Sequence, residues 1–129
     1  MSKQITINKS FYDKMDQLEN VARNRILDKG EQIVTYAAHI SPVDTGAYVE
    51  SWSAVARGAG GGRSRTSNNK PTVVDKVGKR EQEAARLRAE LQQIDPLEDS
   101  GFTLRNRAPH ARDVERKHKV IARTKDRFR

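Results

Sequence analysis

The sequence predicts an α+β fold: a long N-terminal helix, a small antiparallel sheet, a second charged helix in an insertion, and a basic C-terminal helix or tail. Apolar residues recur with helical spacing before Pro42 and again after Lys76, whereas two short segments alternate apolar and polar side chains. The order helix, turn, strand, loop, helix, strand, helix is typical of a small α+β domain. With 129 residues, the chain has the length of a single domain, here residues 1–129.

The first helix is predicted from apolar residues that lie three, four or seven positions apart. Pro42 marks its end, because proline disfavours helical geometry in the preceding residue. Gly30 lies inside the span and costs about 1 kcal/mol relative to alanine, so the prediction is one long helix with a possible break there. Before the helix, the alternation of Ile5 and Ile7 predicts a short strand or a docked terminus. The apolar positions are Phe11, Met15, Leu18, Ala22, Ile26, Ile33, Ala37 and Ile40.

A turn-rich segment separates this helix from the first strand. Asp44 or Thr45 can accept backbone N–H groups there, and Gly46 can adopt a positive φ. Residues 47–56 then predict a short helical turn that leads into a strand around Trp52.

Residues 57–70 form a polar stretch rich in glycine, serine, arginine and asparagine. Such a composition is too polar and too flexible to pack, so it predicts a mobile loop or arm. The following residues, up to Val74, are expected to form a short strand or an ordered connection. Within the loop, Arg63 and Arg65 are candidate contacts for a partner protein or for phosphate, since flexible basic segments bind a polyanion without reading bases.

The second helix is predicted at residues 76–94, where Asp95 and Pro96 end it. Its apolar stripe is only one residue wide and its flanks are almost wholly charged or polar. Such a stripe buries little area, so we expect this helix at the rim of the fold or against a neighbouring subunit. The stripe consists of Val77, Ala84, Leu87, Leu91 and Ile94.

Residues 101–108 alternate like a half-buried strand, with Phe102 and Leu104 facing inward. We expect this strand to pair with the strand around Trp52. After Pro109, residues 111–121 predict a helix, and residues 122–129 predict a basic tail that is ordered only when something binds it.

The net charge of +8 is concentrated at the C-terminal end of the chain. Residues 105–129 hold 10 basic and 3 acidic side chains, which predicts a segment that faces a polyanion or a protein partner. The alternative is a solvated helix end that is rich in lysine and arginine. The candidate contacts are Arg112, Arg116, Lys117, Lys119, Arg123, Lys125, Arg127 and Arg129.

The residues that usually carry catalysis form no recognised pattern. The chain has no cysteine, which excludes disulfides, zinc–thiolate sites and thiol catalysis. His39, His110 and His118 are too far apart to indicate a metal site; we expect His118 on a helix face and His39 to be partly buried. Ser51 and Asp44 have no GxSxG context that would support a triad, and no glycine pattern fits a phosphate loop. The sequence therefore predicts no enzyme, no cofactor and no metal.

Apolar residues are scarce for a chain of this size. Leu, Ile, Val and Phe together number 26 of 129 residues, close to the limit below which strongly charged chains stay disordered. No apolar run approaches the roughly 18 to 20 residues that span a bilayer, so no membrane contact is expected. We expect the surface that this small core cannot bury to be covered by other subunits, a nucleic acid, or both.

Two blocks of the sequence carry a family resemblance. The first block, SPVDTGAYVESW, occupies residues 41–52, and the second, NRAPHARDVE, occupies residues 106–115. In this order they resemble the signature of the tail-completion or neck proteins of long-tailed bacteriophages, small proteins of the head-to-tail connector; His110 replaces the usual tyrosine. The residues assigned to scaffold roles are Pro42, Asp44, Thr45, Gly46, Trp52, Asn106 and Pro109.

The resemblance implies a structural virion protein at the interface between head and tail, present in the host cytoplasm during assembly. It implies a homo-oligomeric ring, on the order of six or twelve copies, around the DNA channel. Its neighbours would be the portal or adaptor on one side and the tail tube or tail terminator on the other, with non-specific contact to genomic double-stranded DNA as a further expectation. In such a ring, the stripe of the second helix would be covered by the next subunit. The alternative function is a free-standing, sequence-independent nucleic-acid-binding protein.

Overall fold

The computed structural model describes residues 9–129, so the predicted strand at Ile5 and Ile7 lies outside the described residues, as does the side chain of Phe11. The α+β class is confirmed, with a long N-terminal helix, a two-stranded antiparallel sheet and further helices. The elements are α1 (Lys9–Ile40), α2 (Ala47–Glu50), β1 (Trp52–Ala56), α3 (Lys76–Gln92), β2 (Phe102–Asn106), α4 (Ala111–His118) and α5 (Val120–Arg127).

Helix α1 runs without interruption through Gly30. A Cβ atom at this position would lie 2.7 Å from Cδ2 of Leu91 and 3.0 Å from the ring of Phe102. Glycine is therefore required at this point because α3 and β2 both approach the helix backbone closely. The predicted single helix is confirmed, and the possible break does not occur.

The sheet is an antiparallel ribbon that packs against α3. Its register runs from Trp52 opposite Asn106 to Ala56 opposite Phe102, which confirms the predicted pairing. Phe102 and Leu104 both pack against the core. An isolated pair of strands is marginally stable in water, so this ribbon depends on the helices beneath it.

Helix α3 packs against α1 in the interior of the chain, and its predicted place at the rim is wrong. Ala84, Leu87 and Leu91 are 0% exposed and Ile94 is 8% exposed without any second subunit. A narrow stripe is enough to bury this face of α3, because α1 presents glycine and alanine to it and the two helices can approach closely. Val77, at 75% exposure, lies in the first turn of α3 and does not belong to the buried stripe.

The C-terminal residues form helix α5 instead of the tail that the sequence predicted to be ordered only by a ligand. Helix α4 ends at Lys119, whose φ of 53° separates it from α5. Val120 and Thr124 are then buried against the rest of the chain. Beyond α5, the ring of Phe128 meets that of Tyr36 edge-on with centroids 5.7 Å apart. Contacts with α1 therefore order this segment within the chain itself.

His39 is exposed, contrary to the partly buried position predicted for it. Its Nε2 lies 2.7 Å from Oε2 of Glu81 on α3, so the ring bridges two helices at the surface. His118 is exposed on α4, as predicted.

The close approach at Gly30 gives a stability prediction. In Gly30→Val, the new side chain meets Leu91 and Phe102, and overpacking of this kind costs about 1 to 3 kcal/mol. Ala85→Val, at an exposed position of α3, is the control and costs less than about 1 kcal/mol through helix propensity alone. Urea unfolding measures both; equal losses in the two variants would contradict the packing role of Gly30.

Candidate functional site

The turn after α1 is held by a chain of hydrogen bonds that connects the helix to β1. The Ser41 hydroxyl donates to the carbonyl oxygen of Ala37 at 2.6 Å and accepts the indole N–H of Trp52 at 2.9 Å. Both Ser41 and Trp52 are buried, and an unpaired polar group in such a place costs about 1 to 3 kcal/mol. The position of the indole is therefore fixed relative to the end of α1.

The rest of the turn directs the chain into α2. Gly46 has a φ of 87°, which confirms the predicted positive value and disfavours any other residue there. Of the two predicted acceptors, Thr45 is the one used: its Oγ1 accepts the backbone N–H of Ala47 at 3.4 Å. Asp44 is exposed, and its carbonyl oxygen accepts the backbone N–H of Val73 at 2.6 Å, which ties the ordered connection before α3 to the turn.

The second block lies directly against the first. Asn106 is opposite Trp52 in the sheet, and its side-chain amide donates to the carbonyl oxygen of Tyr48 at 2.9 Å. Its Oδ1 accepts the backbone N–H of Ala108 at 3.0 Å, which fixes the turn that leads into α4. The ring of His110 lies 6.2 Å from that of Tyr48. We call the joined blocks, residues 41–52 and 106–115, the corner.

A cavity of about 380 Å³ opens at the surface of the corner, between the turn after α1 and α4. The turn contributes Asp44 and Thr45 to its lining, and α4 contributes Asp113 and His118. Among residues 9–129, no group of three or more His, Asp or Glu is placed to hold a metal ion. The cavity instead offers a mixed polar surface between two rigid elements. Pro109, in the turn before α4, is exposed.

A network of ion pairs supports the corner from the side of α3. Glu50 accepts hydrogen bonds from Lys70 and, at 3.0 Å, from Lys79. Lys79 also lies 3.2 Å from Glu83, which is 5% exposed and pairs with Arg86. This network was not predicted from the sequence, although the spacing of four residues between Lys79 and Glu83 is a signal for a helical ion pair.

The same network shifts two pKa values. Burial raises the pKa of Glu50, but hydrogen bonds from Lys70 and Lys79 outweigh burial and hold it below its ordinary value. Burial lowers the pKa of Lys79, and its bonds to Glu50 and Glu83 outweigh this and raise it. Both groups are therefore charged at neutral pH.

The polar loop at residues 57–70 contains no helix or strand, but it is hydrogen-bonded to β1 and its flank. The backbone N–H of Arg63 donates to the Ser53 hydroxyl, and that of Arg65 donates to the Ser51 hydroxyl, each at 2.8 Å. Ser51 and Ser53 are buried, so these hydroxyls bind the loop. These hydrogen bonds to Ser51 and Ser53 were not predicted from the sequence. The side chain of Arg65 is exposed and that of Arg63 is half-buried.

The predicted basic contacts of the C-terminal region are spread over α4 and α5. Glu115 uses its carboxylate to accept the backbone N–H groups of Ile121 and Ala122 at 2.8 and 3.1 Å, so it caps α5. Arg127 lies over the ring of Tyr36 at 6.0 Å, and Arg129 pairs with Asp126 at 3.0 Å. The remaining candidates are exposed and, within residues 9–129, have no ion-pair partner: Arg112, Arg116, Lys117, Lys119, Arg123 and Lys125.

Asn106 joins the two blocks, which gives a prediction for the corner. Asn106→Ala leaves the N–H of Ala108 without its partner and removes one of two hydrogen bonds to the carbonyl oxygen of Tyr48, which keeps the bond from the Ser51 N–H; we expect a cost of about 1 to 3 kcal/mol. Asn68→Ala, in the exposed loop, is the control and changes the free energy of unfolding by less than about 0.5 kcal/mol. Chemical denaturation measures both variants, and an unchanged stability of Asn106→Ala would contradict the bridging role.

Glu50 gives a pH-dependent prediction. Because its pKa is lowered in the folded chain, its contribution to stability is fully present above about pH 4.5, the ordinary value, and is lost as the pH falls through the lowered value. We expect wild type to exceed Glu50→Gln in free energy of unfolding at neutral pH, and this difference to shrink in acid. Urea titrations over a pH series test this; a difference that stays constant down to strongly acidic pH would contradict it.

Comparisons with protein families, curated proteins and solved structures found no match to this chain. In the part of the chain that the structure describes, no helix is both long and apolar enough to span a membrane.

Proposed function

We propose that this chain is a structural subunit of the head-to-tail connector of a long-tailed bacteriophage, where copies form a ring around the DNA channel. The observation that carries the proposal is the corner. The two blocks that resemble the neck and tail-completion proteins are separated by 53 residues in the chain, yet Asn106 bonds to Tyr48 and pairs with Trp52. Two blocks that resemble the same family and also meet in space support that resemblance more strongly than either block alone.

The chemistry of the corner is that of a scaffold. Its polar groups bond to one another: Ser41 to Trp52, Asn106 to Tyr48, and Glu50 to Lys79. The Ser51 hydroxyl donates to the carbonyl oxygen of Ala47 at 2.7 Å and accepts the N–H of Arg65, so it is occupied by structural bonds. A fixed surface of this kind suits a protein that holds two assemblies in register.

The exposed cations of α4 and α5 supply the second part of the proposal. Exposed cations without carboxylate partners among residues 9–129 attract an acidic protein surface or a DNA backbone, and the helices present them in a fixed array. We assign those of α5, Arg123 and Lys125, to contact with a connector partner or with the DNA that passes through the ring. The portal or adaptor and the tail tube or tail terminator are the proposed neighbours.

The exposed cations of α4 and α5 also favour the second candidate, a free-standing nucleic-acid-binding protein. Contacts to phosphate would be independent of base sequence and would weaken steeply as salt is added. In that case the purified chain retards duplex DNA of any sequence at low salt and has no effect on the joining of heads to tails.

A joining experiment distinguishes the two functions. In a phage whose own copy of the gene is disabled, we expect supplied wild-type protein to restore infectious particles. Arg123→Gln combined with Lys125→Gln removes two exposed charges from α5 and lowers the yield by about tenfold or more, the size expected for two interfacial charge contacts.

The matched control neutralises two exposed cations outside α4 and α5, in Arg57→Gln combined with Lys76→Gln, and leaves the yield at the wild-type level. Particle counts and electron microscopy of unjoined heads and tails measure the outcome. Normal joined particles in the complete absence of the protein would contradict the connector function. Normal joining by the α5 variant together with loss of its DNA retardation would favour the nucleic-acid-binding alternative.

A further inference from the structure

The N-terminal part of α1 extends beyond the body of the chain with apolar residues exposed. Residues 13–21, which we call the overhang, are all exposed, and Met15 and Leu18 are 43% and 69% exposed. Their spacing places them on the same stripe of α1 as Ile33 and Ala37, which line a small cavity shared with Thr124 of α5. The stripe is thus covered in one half of the helix, and no described residue covers it in the other half.

The overhang is also acidic. It holds the carboxylates of Asp13, Asp16 and Glu19 against the single cation of Lys14. Arg23, one turn further on, pairs with Asp95 of the body at 3.0 Å. The overhang therefore presents an apolar stripe beside a row of negative charge.

A surface of complementary chemistry lies at the far end of the chain. A groove of about 570 Å³ is lined by the corner, the end of α4 and the start of α5. Its apolar lining includes Tyr48, Ala111 and Ile121, and Ile121 is 40% exposed. The cations that line it are Arg112, Arg116 and Lys119, and Glu115, the carboxylate among them, is occupied by capping α5.

The overhang cannot reach the groove of its own chain. Ile121 of the groove shares a cavity with Ile33 of α1. Leu18 and Ile33 lie on one continuous helix and are about 22 Å apart along its axis, given the rise of roughly 1.5 Å per residue. An overhang that enters this groove therefore belongs to another copy.

We propose that the overhang of one copy docks into the groove of the next, with Met15 and Leu18 against Ile121 and the carboxylates facing Arg112 and Arg116. The two surfaces differ, so each copy donates one and accepts one, a head-to-tail contact that forms a ring if the rotation closes. The ring itself rests on the proposed function, and the overhang and the groove supply the interface between its copies. Its tests use purified protein alone, so they are separate from the joining experiment.

Cross-linking tests the pairing directly, because the chain has no cysteine of its own. A mixture of Leu18→Cys and Ile121→Cys proteins should give a disulfide-linked dimer faster than either protein alone. A mixture of Val74→Cys and Ile121→Cys is the matched control, since Val74 is 99% exposed and lies outside both surfaces. No enrichment over this control would overturn the proposal. Equally fast dimerisation of Leu18→Cys alone would also overturn it, since overhangs would then pair with each other.

Sedimentation over a range of protein concentrations measures how strongly the copies associate. Leu18→Glu should weaken association by at least about tenfold, the loss expected for one buried leucine, whereas Val74→Glu leaves it unchanged. Arg116→Glu should weaken it by up to about fivefold, and Glu19→Arg in the partner copy should restore it, as expected for one exposed ion pair. Circular dichroism checks that each variant is folded. A wild-type chain that stays monomeric at every concentration would overturn the proposal.

Discussion

The hydrogen bond from the Trp52 indole to the Ser41 hydroxyl is the contact on which the rest of the structure depends. Ser41 ends α1 and bonds back to it through Ala37, whereas Trp52 begins β1 and lies in the centre of a core that has few aromatic residues. This contact ties the end of the long helix to the start of the ribbon. Asn106 then aligns the second strand, and α3 fills the space under the sheet.

A scarce apolar composition still gives a closed core because small residues let the elements approach closely. Gly30 lets Leu91 and Phe102 lie close to the backbone of α1, and Ala84, Leu87 and Leu91 of the narrow stripe are completely buried. Charged residues then complete the interior where apolar ones are lacking, as the Glu50, Lys79 and Glu83 network does. The apolar side chains left exposed include Met15 and Leu18 of the overhang, and Val74, Val77 and Ile121 elsewhere.

The elements that follow local rules could be predicted from the sequence. Helical spacing predicted α1 and α3, and alternation predicted β1 and β2. The turn residues predicted the positive φ at Gly46. What could not be predicted depends on distant partners. The burial of Leu87 depends on α1, the order of α5 depends on contacts around Val120, and the loop at Arg63 is held by a serine ten residues away. The resemblance named the residues of the corner, and only the fold shows that they meet.

We propose that this chain occupies the junction between a phage head and its tail. Labelling the chain in purified particles with an antibody, visualised by electron microscopy, tests this location directly. We expect the label to be confined to the neck of each particle, between the head and the tail tube. Particles that join normally and carry no label, or label spread along the tail or over the head, would contradict it.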